Sequence, residues 1–208
     1  LADAEYIVQT NLRDKFLKKG VTLIDPEAVY FSYDTKIGKD VVIYPNVFIG
    51  NNVNIGNGSI IYSFSHLEDC KVGKSVSIGP YARLRPDTII EDNSKVGNFV
   101  EIKKSKIRRD SKINHLAYVG DSQVGKNVNI GAGTIICNYD GKNKHQTIID
   151  DGAFIGSNSS LIAPIKIGKN SYVGSGSAIS KNVKPDSLAV ERTNQIEIKN
   201  WSRKIKRK

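Results

Sequence analysis

The sequence holds no methionine, one tryptophan, two cysteines and three histidines in 208 residues. Each shortage excludes something. With no methionine even at position 1, the chain is expected to be cut from a longer one. Two cysteines cannot build a disulfide framework, and they suit a reducing, cytoplasmic compartment. His66, His115 and His145 differ in phase and neighbours and make no common ligand set, so zinc and other metals are not expected. No apolar run approaches the roughly 20 residues of a membrane span, and no secretory leader is visible, so no membrane insertion is expected. Acidic residues are outnumbered 21 to 31 by Lys and Arg, giving a net charge of +10 that favours anionic partners. Aromatic residues are not interleaved with the cations as a base-stacking platform requires, so nucleic acid is not the expected anion.

What the sequence has instead is a period. From Ile37 to Ile179 an aliphatic residue returns about every six positions, as in Ile37, Ile43, Ile49, Ile55, Ile61 and Leu67. A second slot, two residues earlier, holds small or β-branched residues such as Val41, Val47, Ser59, Ala82, Ser94, Ala117, Thr134 and Ser177. Residues two apart on a strand share a face. Each hexad therefore sends one large and one small side chain inward, and stacked rungs bury what one rung cannot. Cys70 falls in the small slot and reads as packing, whereas Cys137 sits beside a loop. Three hexads make a coil of roughly 18 residues, and coils stack about 4.8 Å apart. Short steps follow Leu67, Ile102 and Val119, and a long one follows Ile136. With Ile37 opening a coil, every irregularity falls at the third corner of a three-sided prism. The expected fold is an all-β solenoid, a parallel β-helix of hexapeptide repeats, with an N-terminal helix and a basic C-terminal tail. Proteins known with this repeat are left-handed.

Residues 1–20 read as a helix, with Ile7, Val8, Leu12, Phe16 and Leu17 at helical spacing and Gly20 as cap. It closes the solenoid, links to a preceding domain, or both. Asp25-Pro26 marks a lead-in turn. The solenoid is assigned to 21–184 and the tail to 185–208, ending in Trp201 and a basic cluster.

Chemistry concentrates around the third side. Arg85 and Lys103 stand where glycine most often follows the aliphatic residue, one coil apart at the same phase. Two cations so placed repel unless an anion lies between them, and an Arg with a Lys suits a phosphoryl group. His115 occupies an outward polar phase and opens the third side of its coil; Tyr118 follows on that surface. Histidine there suits a general base. The loop 137–146 leaves the same corner and brings Asn138, Tyr139 and Lys144. His66, on the outside of its strand, reads as a surface residue.

Four segments carry a resemblance. They are Ile78-Gly-Pro-Tyr-Ala-Arg-Leu-Arg-Pro86, Val96-Gly-Asn-Phe-Val-Glu-Ile-Lys-Lys104, His115-Leu-Ala-Tyr-Val-Gly-Asp121 and Asn129-Ile-Gly-Ala-Gly-Thr-Ile-Ile-Cys-Asn-Tyr-Asp-Gly141. They resemble the C-terminal half of bacterial bifunctional N-acetylglucosamine-1-phosphate uridyltransferase/glucosamine-1-phosphate N-acetyltransferase. The resemblance implies a left-handed homotrimer with intersubunit sites. It also implies acetyl transfer from acetyl-CoA to the 2-amino group of glucosamine 1-phosphate, feeding UDP-N-acetylglucosamine and so peptidoglycan and lipopolysaccharide synthesis. By that resemblance His115 is the base, and Arg85, Lys103, Tyr118, Asn129 and Lys144 hold the sugar phosphate. Asn138 and Tyr139 line the acetyl delivery site, and Ala132, Ser157, Ser175 and Arg192 contact acetyl-CoA. Position 175 is often Ala in the family and is Ser here. Asn129 lies on another side from Lys103, which a trimer would resolve. Uridyltransferase activity and its Mg²⁺ belong to the half that is missing and are not expected here. Two rivals stay open: a hexapeptide acyltransferase acting on serine or a UDP-sugar, and a non-catalytic β-helix serving as an assembly platform.

Overall fold

The structure, a computed structural model, describes residues 1–201. The basic stretch from Ser202 to Lys208, part of the expected tail, lies outside the described residues. The chain forms the expected parallel β-helix, left-handed and of about nine turns. Its three sides are parallel sheets of eight, ten and nine strands. We number the sides first, second and third, after the strands ending at Ile37, Ile43 and Ile49.

The period sets the register. Ile37 pairs with Ile55, 18 residues on; Ile55 pairs with Val72, 17 on; Val124 pairs with Ile149, 25 on across the loop. Short and long steps are thus absorbed at one corner while the aliphatic columns stay aligned. The columns fill the prism: Ile43, Ile61, Ile78, Val96, Ile113 and Ile155 on the second side are all fully buried. The small slot is buried too, and several of its hydroxyls bond to the next coil, although those of Thr35, Ser65 and Thr147 are buried without a partner. Ser59 Oγ donates to Gly73 O at 2.9 Å and accepts from Val76 N, and Ser111 repeats this with Gly125 O at 2.7 Å and Val128 N. A hydroxyl in this slot therefore ties the corner carbonyl to the rung above. Cys70 is buried there as expected, and burial pushes its thiol up to about 12.

Helix α1 spans Ala2–Lys18 and packs on the first coil by a face that keeps only Leu12 and Phe16 of the five expected apolar residues. Ile7, Val8 and Leu17 are exposed, whereas Gln9, Leu12, Arg13 and Phe16 are buried. The first strand of the third side, Val29–Phe31, has one edge without a neighbouring strand. Gln9 covers it by donating to Phe31 O at 2.8 Å and accepting from Phe31 N at 2.9 Å. Arg13 donates to Val29 O at 3.0 Å and Glu27 O at 3.1 Å. Closing a sheet edge requires hydrogen-bonding groups, so two polar residues take the inner face.

Candidate active site

The third corner gathers cations. Pairing of Leu84 with Ile102 sets Arg85 beside Lys103, and Arg85 N donates to Ile102 O at 2.9 Å. Arg85 Nη1 also reaches Glu101 Oε1 at 2.7 Å. Lys144 joins them from the loop. Its amine beside Lys103, partial burial and the Arg85 charge hold the Lys103 ammonium below the usual lysine range, with Asp121 pulling the other way. Asp140 shapes the loop by accepting from Lys142 N, Asn143 N and His145 Nε2 at 2.6–2.7 Å. Those bonds, the Asn143 amide first, hold its carboxyl well below the usual carboxylate range. Tyr139 then forms an isolated antiparallel bridge with Lys144, which fixes the loop segment that carries the third cation.

Three cations meet at one exposed corner, and an anion held between them would leave a titration signature. An anion favours the charged form of Lys103, returning it toward its ordinary value, so binding takes up protons and weakens as pH rises through the lowered value. Above about pH 8 a phosphate is already a dianion, so uptake there comes from the protein. Inorganic phosphate is expected to bind with proton uptake, measured by calorimetry in buffers of different ionisation enthalpy. Uptake that is absent, or unchanged in Lys144→Ala, would contradict this assignment.

Between the cations and the third-side surface lie Tyr118 and Asn138. Asn138 is buried, and its Nδ2 donates to Asp121 Oδ2 at 2.5 Å and sits 3.5 Å from Tyr118 Oη. Gly120 continues the Arg85–Lys103 column, and a Cβ there would meet Tyr118 Oη and the Asn138 amide at 2.5–2.7 Å. The missing side chain leaves room for that pair. Tyr139 is exposed and donates its hydroxyl to Gly141 O at 2.6 Å.

The second corner carries the histidine. Strands of the second side are two residues long except at Lys95–Asn98 and Lys112–His115, where pairing runs on to join Asn98 with His115. His115 Nδ1 lies 2.5 Å from Asn98 Oδ1. The carbonyl oxygen can only accept, so Nδ1 carries the proton and Nε2 keeps its lone pair. Exposed and so oriented, Nε2 is placed to receive a proton. The same column continues through Ala132, Ser157 and Ser175, since Ile113, Ile130, Ile155 and Val173 pair in turn. Arg192 Nη1 closes the line on Ser175 O at 3.0 Å.

The structure therefore brings the singled-out residues into two lines that flank the third side. Arg85, Lys103 and Lys144 form one, with Tyr118 and Asn138 beside it; His115, Ala132, Ser157, Ser175 and Arg192 form the other. Asn129 joins neither: it faces outward from the second side, between Lys112 and Phe154. Asn98, Glu101 and Asp121 were not singled out from sequence. For two of them the signal was spacing: Asn98 precedes His115 by one coil, and Glu101 lies one coil after Arg83, two residues before the neighbour of Arg85.

Known proteins resemble the chain along its whole length. The description "Bacterial transferase hexapeptide (six repeats)" matches residues 34–68 and 146–181, and "GMPPB C-terminal domain" matches 66–141. Over 208 residues, all of this chain, it is 50% identical to the bifunctional protein GlmU of Zymomonas mobilis. It is 52% identical over 206 residues to the protein of that name from Paramagnetospirillum magneticum. The chain is a hexapeptide-repeat relative of bifunctional GlmU. It spans 46% of each of those proteins, in their C-terminal part. GlmU from Thermotoga maritima, at 48% identity, gives the same picture over 90% of this chain and 46% of its own length. Among solved structures, the UDP-N-acetylglucosamine acyltransferase of Francisella novicida superposes with a TM-score of 0.74 at 20% identity, covering 81% of this chain and 66% of its own. LpxA from Acinetobacter baumannii gives 0.59 at 19% identity, over 79% and 70%. At that identity these two speak for the fold alone. No described helix is long and apolar enough to cross a membrane, and no described cluster of His, Cys, Asp and Glu could hold a metal ion.

Proposed function

We propose that the chain is an acetyl-CoA-dependent glucosamine-1-phosphate N-acetyltransferase, the acetyl-transferring part of a GlmU-like protein. One observation carries this reading. His115 opens the same third side whose far corner holds Arg85, Lys103 and Lys144, and below His115 runs a line of small residues ending at Arg192. A phosphorylated acceptor held by the cations and a long thin donor lying on the line would meet at His115.

His115 Nε2 takes a proton from the 2-amino group as its nitrogen bonds to the thioester carbonyl carbon. The carbon–sulfur bond then breaks, and the imidazolium returns the proton to the departing thiolate. Asn98 holds the ring in the tautomer this step needs. Holding amine and thioester on one surface supplies the entropic part of the acceleration. The Asn138 amide is already committed to Asp121, so oxyanion stabilisation falls more naturally to a backbone N–H. Asn129, facing outward from the second side, reaches the cation site of another copy in a trimer whose sites lie between subunits. Helix α1 serves as end cap and linker, and Arg192 begins a tail that supplies cations to the donor.

Asn98 is a positioning residue. Asn98→Ala is expected to lower kcat about tenfold with KM for both substrates nearly unchanged, and Asn98→Asp to restore most of it, because a carboxylate also accepts from Nδ1. An equal loss in both variants, or a loss confined to KM, would assign Asn98 to packing or to binding.

The reading itself is tested by thermal denaturation with CoA and, separately, with glucosamine 1-phosphate. Each is expected to raise the melting temperature. A chain that responds to neither is an assembly platform.

A further inference from the structure

The corner that carries His115 changes character at His115. Its middle position reads Ala132, Ser157 and Ser175 in the coils below. The next position, which takes a left-handed backbone, reads Gly133, Asn158 and Gly176 there, with φ of 56–74°. Nothing lies within 4 Å of where a Cβ on Gly176 would sit. At His115 and above, the left-handed position holds Leu116, Phe99, Tyr81 and Phe64, with φ of 51–62°. Bulky residues disfavour that backbone, and these are also apolar and exposed, Leu116 by 59% and Phe99 by 54%. The aromatic rings stack on one another, Phe64 on Tyr81 at 4.8 Å and Tyr81 on Phe99 at 5.0 Å. Strained backbone and exposed apolar surface at one position, repeated coil after coil, are not explained by solenoid packing. The ridge ends with Leu116, beside His115, where the line of small residues begins.

We propose that Leu116, backed by Phe99, closes the donor line just beyond His115 and limits the transferred acyl group to two carbons. This rests on the acyl-CoA reading above. A donor lying along Ala132, Ser157 and Ser175 presents its thioester carbonyl at His115, so its acyl carbons lead toward the next coil, about 4.8 Å further on. Leu116 stands in the His115 coil and Phe99 in the one beyond. An acetyl group ends before the ridge, whereas further methylenes must displace Leu116 and then Phe99, whose ring stacks on Tyr81. Selectivity thus comes from bulk placed against the wrong donor rather than from an added contact to the right one.

Both residues occupy positive φ, where glycine is the favoured replacement, so Leu116→Gly and Phe99→Gly are expected to fold. The experiment compares kcat/KM for acetyl-, propionyl- and butyryl-CoA with glucosamine 1-phosphate in the assembled protein. It also compares calorimetric binding of acetyl- and butyryl-CoA without acceptor. The wild type is expected to lose roughly tenfold or more per added methylene, and Leu116→Gly to narrow the acetyl-to-butyryl ratio by about tenfold or more. Phe99→Gly narrows it less. An unchanged ratio in both variants overturns the proposal, and an unchanged ratio with lost assembly makes the ridge a contact between copies instead. Binding of acetyl-CoA without turnover of glucosamine 1-phosphate would sink the acceptor assignment, while the calorimetric ratio still decides the role of Leu116. Absence of saturable acyl-CoA binding removes both.

Discussion

His115→Ala is expected to lower kcat for acetyl transfer by about 10²–10⁴-fold, the usual range for a general base. The residue is exposed, and its one side-chain hydrogen bond, to Asn98, lies outside the core, so the fold should be indifferent to the loss of the ring. Binding of both substrates should change little, because in this scheme Nε2 acts on the proton and not on the phosphate or the donor arm. The diagnostic result is therefore a collapse of kcat with KM for acetyl-CoA and glucosamine 1-phosphate almost unmoved, read by thiol release. His115→Gln separates shape from basicity: glutamine keeps a hydrogen-bonding group of similar reach without an imidazole lone pair, and should be as inactive as alanine. A His115→Ala enzyme that retained a tenth of wild-type turnover would remove the histidine from the chemistry.

The cation corner gives the second large effect, with opposite signs on binding and on the unliganded protein. Each charge-assisted hydrogen bond to a phosphoryl oxygen contributes about 1.5–3 kcal/mol. Arg85→Ala and Lys103→Ala should therefore each raise KM for glucosamine 1-phosphate by roughly 10–100-fold, with KM for acetyl-CoA held. Arg85→Ala is expected to be the worse, since Glu101 then faces the phosphate unpaired. Without ligand, Lys103 crowds Lys144 and Arg85, as its lowered ionisation range shows. Lys103→Ala should therefore leave the melting temperature level or raise it while weakening the acceptor. Steady-state kinetics and thermal denaturation on the same preparations read both signs. A Lys103→Ala protein of reduced stability and unchanged acceptor KM would turn the cluster into a structural feature.

Much of this was legible in the sequence because a solenoid is nearly one-dimensional. The aliphatic period gave the inward columns, and one assumption, that Ile37 opens a coil, placed all irregular steps at the third corner, where the register puts them. Stacking of Arg85 on Lys103 followed from phase alone. Features that depend on departures from the period were not legible. Helix α1 turns Gln9 and Arg13 inward because it meets an open strand edge, which apolar spacing does not encode. Asn138 is buried because the loop folds it onto Asp121, and Lys144 meets Lys103 because Asp140 shapes the loop. Asn98 reaches His115 because two strands run on past the usual corner, although nothing in the local residues signals longer strands.

In the proposed reaction this chain forms an amide on a sugar phosphate. The most direct measurement is ¹³C NMR of glucosamine 1-phosphate incubated with the assembled protein and carbonyl-labelled acetyl-CoA. A single new amide carbonyl on the C2 nitrogen is expected, appearing in step with free thiol and only when the phosphorylated sugar is present. An ester product, or no acceptor-dependent product from protein that is folded and assembled, would contradict it.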